Sequence, residues 1–256
     1  MLLKKPLSIR SDILSKTGAI EEYYADAWLH AFQMPQNHQL TMAIASPTFC
    51  SSINKTPSEY AISRLGTIIA EKHHLEEGQK PKDFYNRVFS LIQEGLQKRS
   101  IKTNTDMTTS LLVLTIDDSN TAHYCNAGYC KALLWNKNSL FSLTPTSNSD
   151  SQISLPLGMI DPIKLSVTKP EIEYSHVRLR KGNAIVLLSP GIIEKKDMPQ
   201  KIKKILLDNR DTKVLCHRIM DAYQKSMQES QEQQVSDPDD FLAEDSTTII
   251  GCIYIK

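Results

Sequence analysis

The chain lacks any long apolar run, any paired-cysteine motif and any excess of one charge. No segment approaches the roughly 18 consecutive apolar residues that span a bilayer. Residues 1–8, Met-Leu-Leu-Lys-Lys-Pro-Leu-Ser, carry neither a secretory apolar core nor a small-residue cleavage site. The 5 cysteines, Cys50, Cys125, Cys130, Cys216 and Cys252, form no Cys-x-x-Cys pair and no even framework. That excludes a disulfide scaffold and points to reduced thiols. Cys125 and Cys130 read as buried thiols rather than a metal clip. With 30 basic and 29 acidic residues, the formal net charge is +1. Such a balance projects no field toward nucleic acid or an anionic membrane. Lys201, Lys203 and Lys204 fall at helical spacing and read as a solvated helix face. The chain has no G-x-S-x-G, no P-loop glycine pattern and no repeat of 20–50 residues. His73-His74 reads as surface rather than ligand. The expectation is a cytoplasmic protein with no membrane or nucleic-acid partner.

What is present is a sheet-forming centre. Hydrophobic content of 40% is enough for a real core. The stretch 107–135 holds two β-rich runs, Thr109 to Ile116 and Thr121 to Tyr124, around the turn formers Asp117-Asp118-Ser119-Asn120. That pattern predicts a hairpin. Asn126-Ala127-Gly128 then leads into a third apolar run, Ala132 to Trp135. A glycine there marks a bulge or a close backbone approach. This stretch reads as the middle of a sheet.

Other strands are predicted over Trp28–Phe32, Leu40–Ala45, Ser139–Leu143, His176–Leu179, Ala184–Leu188 and Thr247–Ile255. Leu155–Met159 is compact and apolar, whereas Pro145–Ser154 reads as a polar loop. Helices are predicted from Pro57, capped by Thr56, to near Gly78, and over Pro81–Lys98, Lys201–Leu207 and Lys213–Tyr223. Residues 1–24 are an N-terminal segment whose 11–24 portion fits either a strand or a frayed helix. Residues 224–240 read as a loop, with a polar helical continuation over 224–234 as the alternative. Helices in two separated pairs around many strands argue α+β: two mostly antiparallel sheets in a four-layer α-β-β-α sandwich, one domain over 1–256.

Several of these segments together resemble the metal-dependent (PPM, type 2C) Ser/Thr protein phosphatases, in particular the SpoIIE/RsbU-like branch. Met107 to Leu112 is similar to that branch's Met-Phe-Val-Thr-Leu, and Tyr124 to Tyr129 to its Tyr-Ala-Asn-Ala-Gly-His. Leu155 to Met159 resembles its Pro-Leu-Gly element, and Lys181 to Ile192 its Gly-Asp-x-Leu-Leu-Leu-Tyr-Thr-Asp-Gly-Val. Glu244 to Thr247 is similar to its Asp-Asp-x-Thr. Upstream, Asp26 to Phe32 falls on Gly-Asp-Trp-Tyr-Asp-x-Phe, and Ile44 to Phe49 on Ile-Gly-Asp-Val-x-Gly. Asn126, Gly128, Gly158 and Gly191 are the retained scaffold residues.

The resemblance implies paired Mg²⁺ or Mn²⁺ ions held by four aspartates, because closely packed dications repel and need hard anionic ligands. The matching positions here are Ala27, Ser46, Pro190 and Asp245. Three of them carry no carboxylate, and Asp245 is the retained ligand position. Asp26 is a possible substitute, one residue from Ala27, if a bulge turns it to the same face. Asp237, Asp239, Asp240 and Glu244 read as a solvated turn region. No catalytic residue is assigned. The resulting expectation is a pseudophosphatase without a cofactor that binds a protein partner, either a phosphoserine regulatory protein or an active phosphatase. The branch's substrates, phosphorylated anti-sigma-factor antagonists, imply partner switching. Two alternatives stand beside it: an active Mn²⁺- or Mg²⁺-dependent phosphoserine/phosphothreonine phosphatase with a rearranged site, and a purely structural subunit.

Overall fold

The computed structural model describes residues 8–16, 27–32, 40–50, 57–71, 80–144, 155–159, 170–195, 197–233 and 248–255. Its elements run β1 (Ile9–Lys16), β2 (Ala27–Phe32), β3 (Leu40–Cys50), α1 (Pro57–Glu71), α2 (Pro81–Thr103), β4 (Met107–Ile116), β5 (Thr121–Ala127), β6 (Lys131–Asn136), β7 (Ser139–Ser142), β8 (Glu173–Arg178), β9 (Ala184–Leu188), α3 (Pro190–Glu194), α4 (Met198–Asp208), α5 (Thr212–Gln233) and β10 (Thr248–Ile255). Two five-stranded sheets form, ordered β1-β10-β9-β6-β7 and β2-β3-β4-β5-β8. Every strand pair is antiparallel.

Alternation along β4 shows why the layers stack. Leu112, Leu114 and Ile116 enter the core between the sheets, with Met42, Ile44, Ile185, Leu187 and Ile253. Leu111 and Val113 point the other way, onto Ala61, Leu65, Phe89 and Ile92 of α1 and α2. Successive strand side chains face opposite sides, so a strand apolar on both faces must be covered twice. Each such leucine contributes roughly 1.5–3 kcal/mol by burial. On the other sheet, Val186, Leu188, Ile250 and Cys252 pack beneath Ile202, Leu215, Ile219 and Met220 of α4 and α5. The result is the expected four-layer α-β-β-α sandwich.

Several boundaries differ from the sequence reading. The hairpin is present, but β6 leaves its sheet: β5 pairs with β4 and β8, whereas β6 pairs with β7 and β9. The 107–135 stretch therefore supplies strands to both sheets, with β4 in the middle of one and β6 next to the edge of the other. β3 runs on to Cys50, with a register shift between Pro47 and Phe49, where proline offers no ladder N–H. Ser189-Pro190-Gly191 reads in the sequence as a strand-end turn, whereas in the structure Pro190 opens the short helix α3. α2 continues to Thr103 and stops at Asn104, whose left-handed φ of 53° suits a C-cap. Residues 224–233 are helix, not loop. Buried Ser226 anchors this polar turn by donating to Asp197 Oδ2 at 2.9 Å and accepting from Lys201 Nζ. Lys201 accordingly ties α4 to α5 instead of sitting on a solvated face, with a 2.6 Å ion pair to Asp197. Residues 9–16 form an edge strand on β10, which settles the N-terminal alternative there.

Candidate functional site

The retained motifs converge where β5 hands over to β6. The crossover follows Ala127, which pairs with Leu111, and precedes Lys131, which pairs with Leu188. Gly128 adopts φ +90°, and a Cβ there would lie 2.5 Å from Ser110 Oγ. That hydroxyl accepts a hydrogen bond from the Tyr129 N–H at 3.0 Å. Asn126 is buried and donates from Nδ2 to the Gly128 carbonyl at 3.0 Å, with Glu173 Oε2 at 3.5 Å. The Asn-Ala-Gly element thus folds the crossover tightly onto β4.

The Pro-Leu-Gly element is locked to the same end. Thr109 and Leu157 exchange backbone hydrogen bonds of 2.9 and 2.8 Å. Gly158 has φ +90°, and a Cβ would stand 1.9 Å from the Met107 carbonyl oxygen. Its N–H donates to Gln93 Oε1 at 2.6 Å, and Gln97 Nε2 donates to the Met159 carbonyl. Two glutamines of α2 therefore clamp residues 158–159, which only glycine chemistry admits at this spacing. Gly191 differs: its φ is not positive, and a Cβ would meet only Tyr223 Oη at 3.3 Å.

The sequence-predicted ligand positions are distributed unevenly around this end. Ser46 pairs with Ser110 on the face of β3 shared with Ile44, between the sheets, and is 7% exposed. Its carbonyl accepts the Thr109 hydroxyl at 3.0 Å. Ala27 pairs with Ala45, one step out of line, and packs with Leu29 against the α1–α2 core. Ala27 and Ser46 therefore face opposite sides of their sheet, and the fold does not bring them together. Pro190 sits at the start of α3, two residues beyond the Leu188–Lys131 pair. As donors for hard dications the three positions offer one neutral hydroxyl. Among the described residues, no group of three or more His, Cys, Asp or Glu side chains could hold a metal ion. Asp26, Asp245, Asp237, Asp239, Asp240, Glu244, Thr56 and His73-His74 lie outside the described residues.

Two polar features were not singled out from the sequence. His123 Nε2 lies 3.0 Å from Asp117 Oδ2, and its Nδ1 lies 2.9 Å from Tyr174 Oη. An ionised carboxylate only accepts, so Nε2 carries hydrogen and a neutral ring accepts the tyrosine hydroxyl at Nδ1. Burial raises the Asp117 pKa, but hydrogen bonds from His123, the Thr121 N–H and Ser119 outweigh it and bring it down to about 2. The only sequence signal was the turn-forming Asp117; the β8 partner of His123, Tyr174, is 51 positions away from it. The second is a basic cavity at the same end as the hairpin turn, taken up below. Cys125 and Cys130, by contrast, are both buried and outside any disulfide but belong to different cores, Cys125 under α2 and Cys130 between the sheets. Burial pushes the Cys125 thiol pKa up, with Glu173 adding to the effect. They are not a metal clip.

Residues 60–241 match the family described as Stage II sporulation protein E (SpoIIE), well over half of the 256-residue chain. The chain belongs to the SpoIIE family. Its sandwich is that of the PPM-type Ser/Thr phosphatases. A bacterial serine phosphatase matches with a TM-score of 0.71 at 11% identity, covering 97% of this chain and 98% of that one. The Ser/Thr phosphatase PstP/Ppp of Mycobacterium tuberculosis matches at 0.68 and 13%, covering 96% and 98%. RsbX, in complex with magnesium, matches at 0.59 and 10%, covering 97% and 96%. A further structure of the PstP catalytic domain holds 2 manganese ions. At such identities these likenesses speak for the fold. No curated relative matches the chain. Among the described residues, no helix of this SpoIIE-family protein is long and apolar enough to cross a membrane.

Proposed function

We propose that this SpoIIE-family chain is a pseudophosphatase: a cytoplasmic PPM-fold protein that regulates by binding a phosphoserine regulatory protein or an active phosphatase, not by hydrolysis. One observation carries the reading. The positions that the sequence resemblance matches to three of the family's metal-binding aspartates hold Ala27, Ser46 and Pro190, while Asn126, Gly128 and Gly158 match its scaffold motifs. Two dications close together need several carboxylates to offset their repulsion.

Calorimetry with Mn²⁺ and Mg²⁺ tests it. The expected result is no saturable two-ion binding in the micromolar range, and no metal-dependent phosphate release from phosphoserine peptides. Two ions bound per chain, with turnover abolished by Asp245→Asn, would establish an active phosphatase with a rearranged site instead.

A further inference from the structure

A cavity of about 260 Å³ opens at the end of the sandwich opposite the β5–β6 crossover. Four separate segments build it: the β6–β7 turn, the turn before β9, the end of α4 with the residues just past it, and Tyr254 of β10. They contribute Lys137, Arg180, Lys181 and Arg210, and none of the described lining residues is acidic. Four cations therefore meet at one mouth in a chain whose net charge is only +1. Trp135 and Tyr254, 7% and 9% exposed, form its apolar wall. A low-dielectric wall strengthens charge interactions at the mouth.

The cations sit on braced backbone. Buried Asn183 accepts the Arg180 N–H at 2.8 Å, and its Nδ2 donates to the Trp135 carbonyl at 3.3 Å and to Asn136 Oδ1 at 3.2 Å. The Gly182 N–H donates to the Ile255 carbonyl at 2.8 Å. Lys137 and Asn138 both have positive φ, 46° and 73°, as a tight two-residue turn requires. Asp211, the carboxylate next in sequence to Arg210, accepts the Lys213 and Val214 N–H groups at the start of α5. It does not line the cavity.

We propose that this cavity is an anion site for a phosphate monoester group, held by the Arg180 and Arg210 guanidinium forks with Lys137 and Lys181 alongside. Guanidinium forks match phosphate oxygens two at a time, and lysines add point charge. A single compact mouth, rather than a basic stripe, fits one phosphoryl group rather than a nucleic-acid backbone. The group can come from a small phosphorylated molecule or from a phosphorylated side chain of a protein. The site is independent of whether the crossover end holds metal, so the two readings fail separately.

Titration calorimetry at low salt would compare inorganic phosphate, O-phosphoserine, a phosphoserine peptide and the unphosphorylated peptide. The three phosphorylated probes should bind if the source is a small molecule. Only the phosphopeptide should bind if the source is a protein. In either case the Arg180→Ala/Arg210→Ala variant should lose at least about tenfold in affinity, with Arg180→Lys falling between. These side chains are exposed, and far-UV circular dichroism would verify that the variant is folded. Lys203→Ala/Lys204→Ala, which removes two exposed charges outside the cavity, should leave binding intact. The proposal is overturned if no phosphorylated probe saturates, if the unphosphorylated peptide binds equally, or if the Lys203/Lys204 variant loses as much as the arginine variant.

Discussion

The two ends of the sandwich are made by the same strands, yet they differ in what their side chains carry. At the crossover end, small neutral residues crowd the backbone: Ser46 against Ser110, Gly128 over Ser110, and Gly158 against the Met107 carbonyl. At the other end, charged and aromatic groups gather: Asp117 with His123 and Tyr174, and the four cations around Trp135 and Tyr254. One end is built by close backbone approach and the other by side-chain chemistry. The motif residues Asn126, Gly128 and Gly158 thus hold backbone against backbone at the crossover end.

Three substitutions probe that contrast, and the largest effect belongs to the crowded end. Gly158 and Gly182 share nearly the same backbone, φ +90° and +87°, but not the same surroundings. Gly158→Ala drives a Cβ into the Met107 carbonyl at 1.9 Å. It should cost about 2–5 kcal/mol in urea unfolding, from the disfavoured backbone and the overpacking together. An effect below that of Gly182→Ala would break the comparison.

Asp117→Asn should cost less, about 1 kcal/mol, because the carboxylate is partly exposed and screened. Its pH signature is distinctive. The folded pKa of about 2 lies below the model-peptide value of 3.8, so the unfolded chain binds the proton more readily. The stabilisation is full above the ordinary carboxylate range and is lost as pH falls through about 2. Wild type should therefore lose its advantage over Asp117→Asn on acidification, seen as converging denaturation midpoints. A constant difference down to pH 2 would remove the Asp117–His123 pair from the account.

Gly182→Ala should have an effect no larger than that of Asp117→Asn. A Cβ there meets nothing within 4 Å, leaving only the positive-φ penalty of about 1 kcal/mol. Thermal or chemical denaturation alongside Gly158→Ala separates strain from crowding.

Much of the fold was legible because it rests on local signals. The hairpin around 117–120, the apolar run of β9 and the stripes of α1 and α2 each follow from periodicity and turn chemistry within one segment. The misread pieces lacked such signals. Residues 224–233 are polar, and their helix is stabilised through Ser226, Lys201 and Asp197 from another element. Pro190 after a strand reads equally as a turn or as the first residue of a helix, and packing chose the helix.

For the candidate site the division is sharper. The residue types at 27, 46 and 190 were plain from the sequence, as was the retention of Asn126, Gly128 and Gly158. By itself the sequence therefore determined the family, the order of layers and the chemical poverty of those positions. Only the tertiary structure decided which side chains share a space. Strand register put Ala27 and Ser46 on opposite faces, sheet exchange separated Cys125 from Cys130, and packing drew Lys137, Arg180, Lys181 and Arg210 to one mouth. The reason is geometric: a side chain's identity is local, but its direction and neighbours are set by strand pairing and sheet stacking, which join segments far apart in the chain.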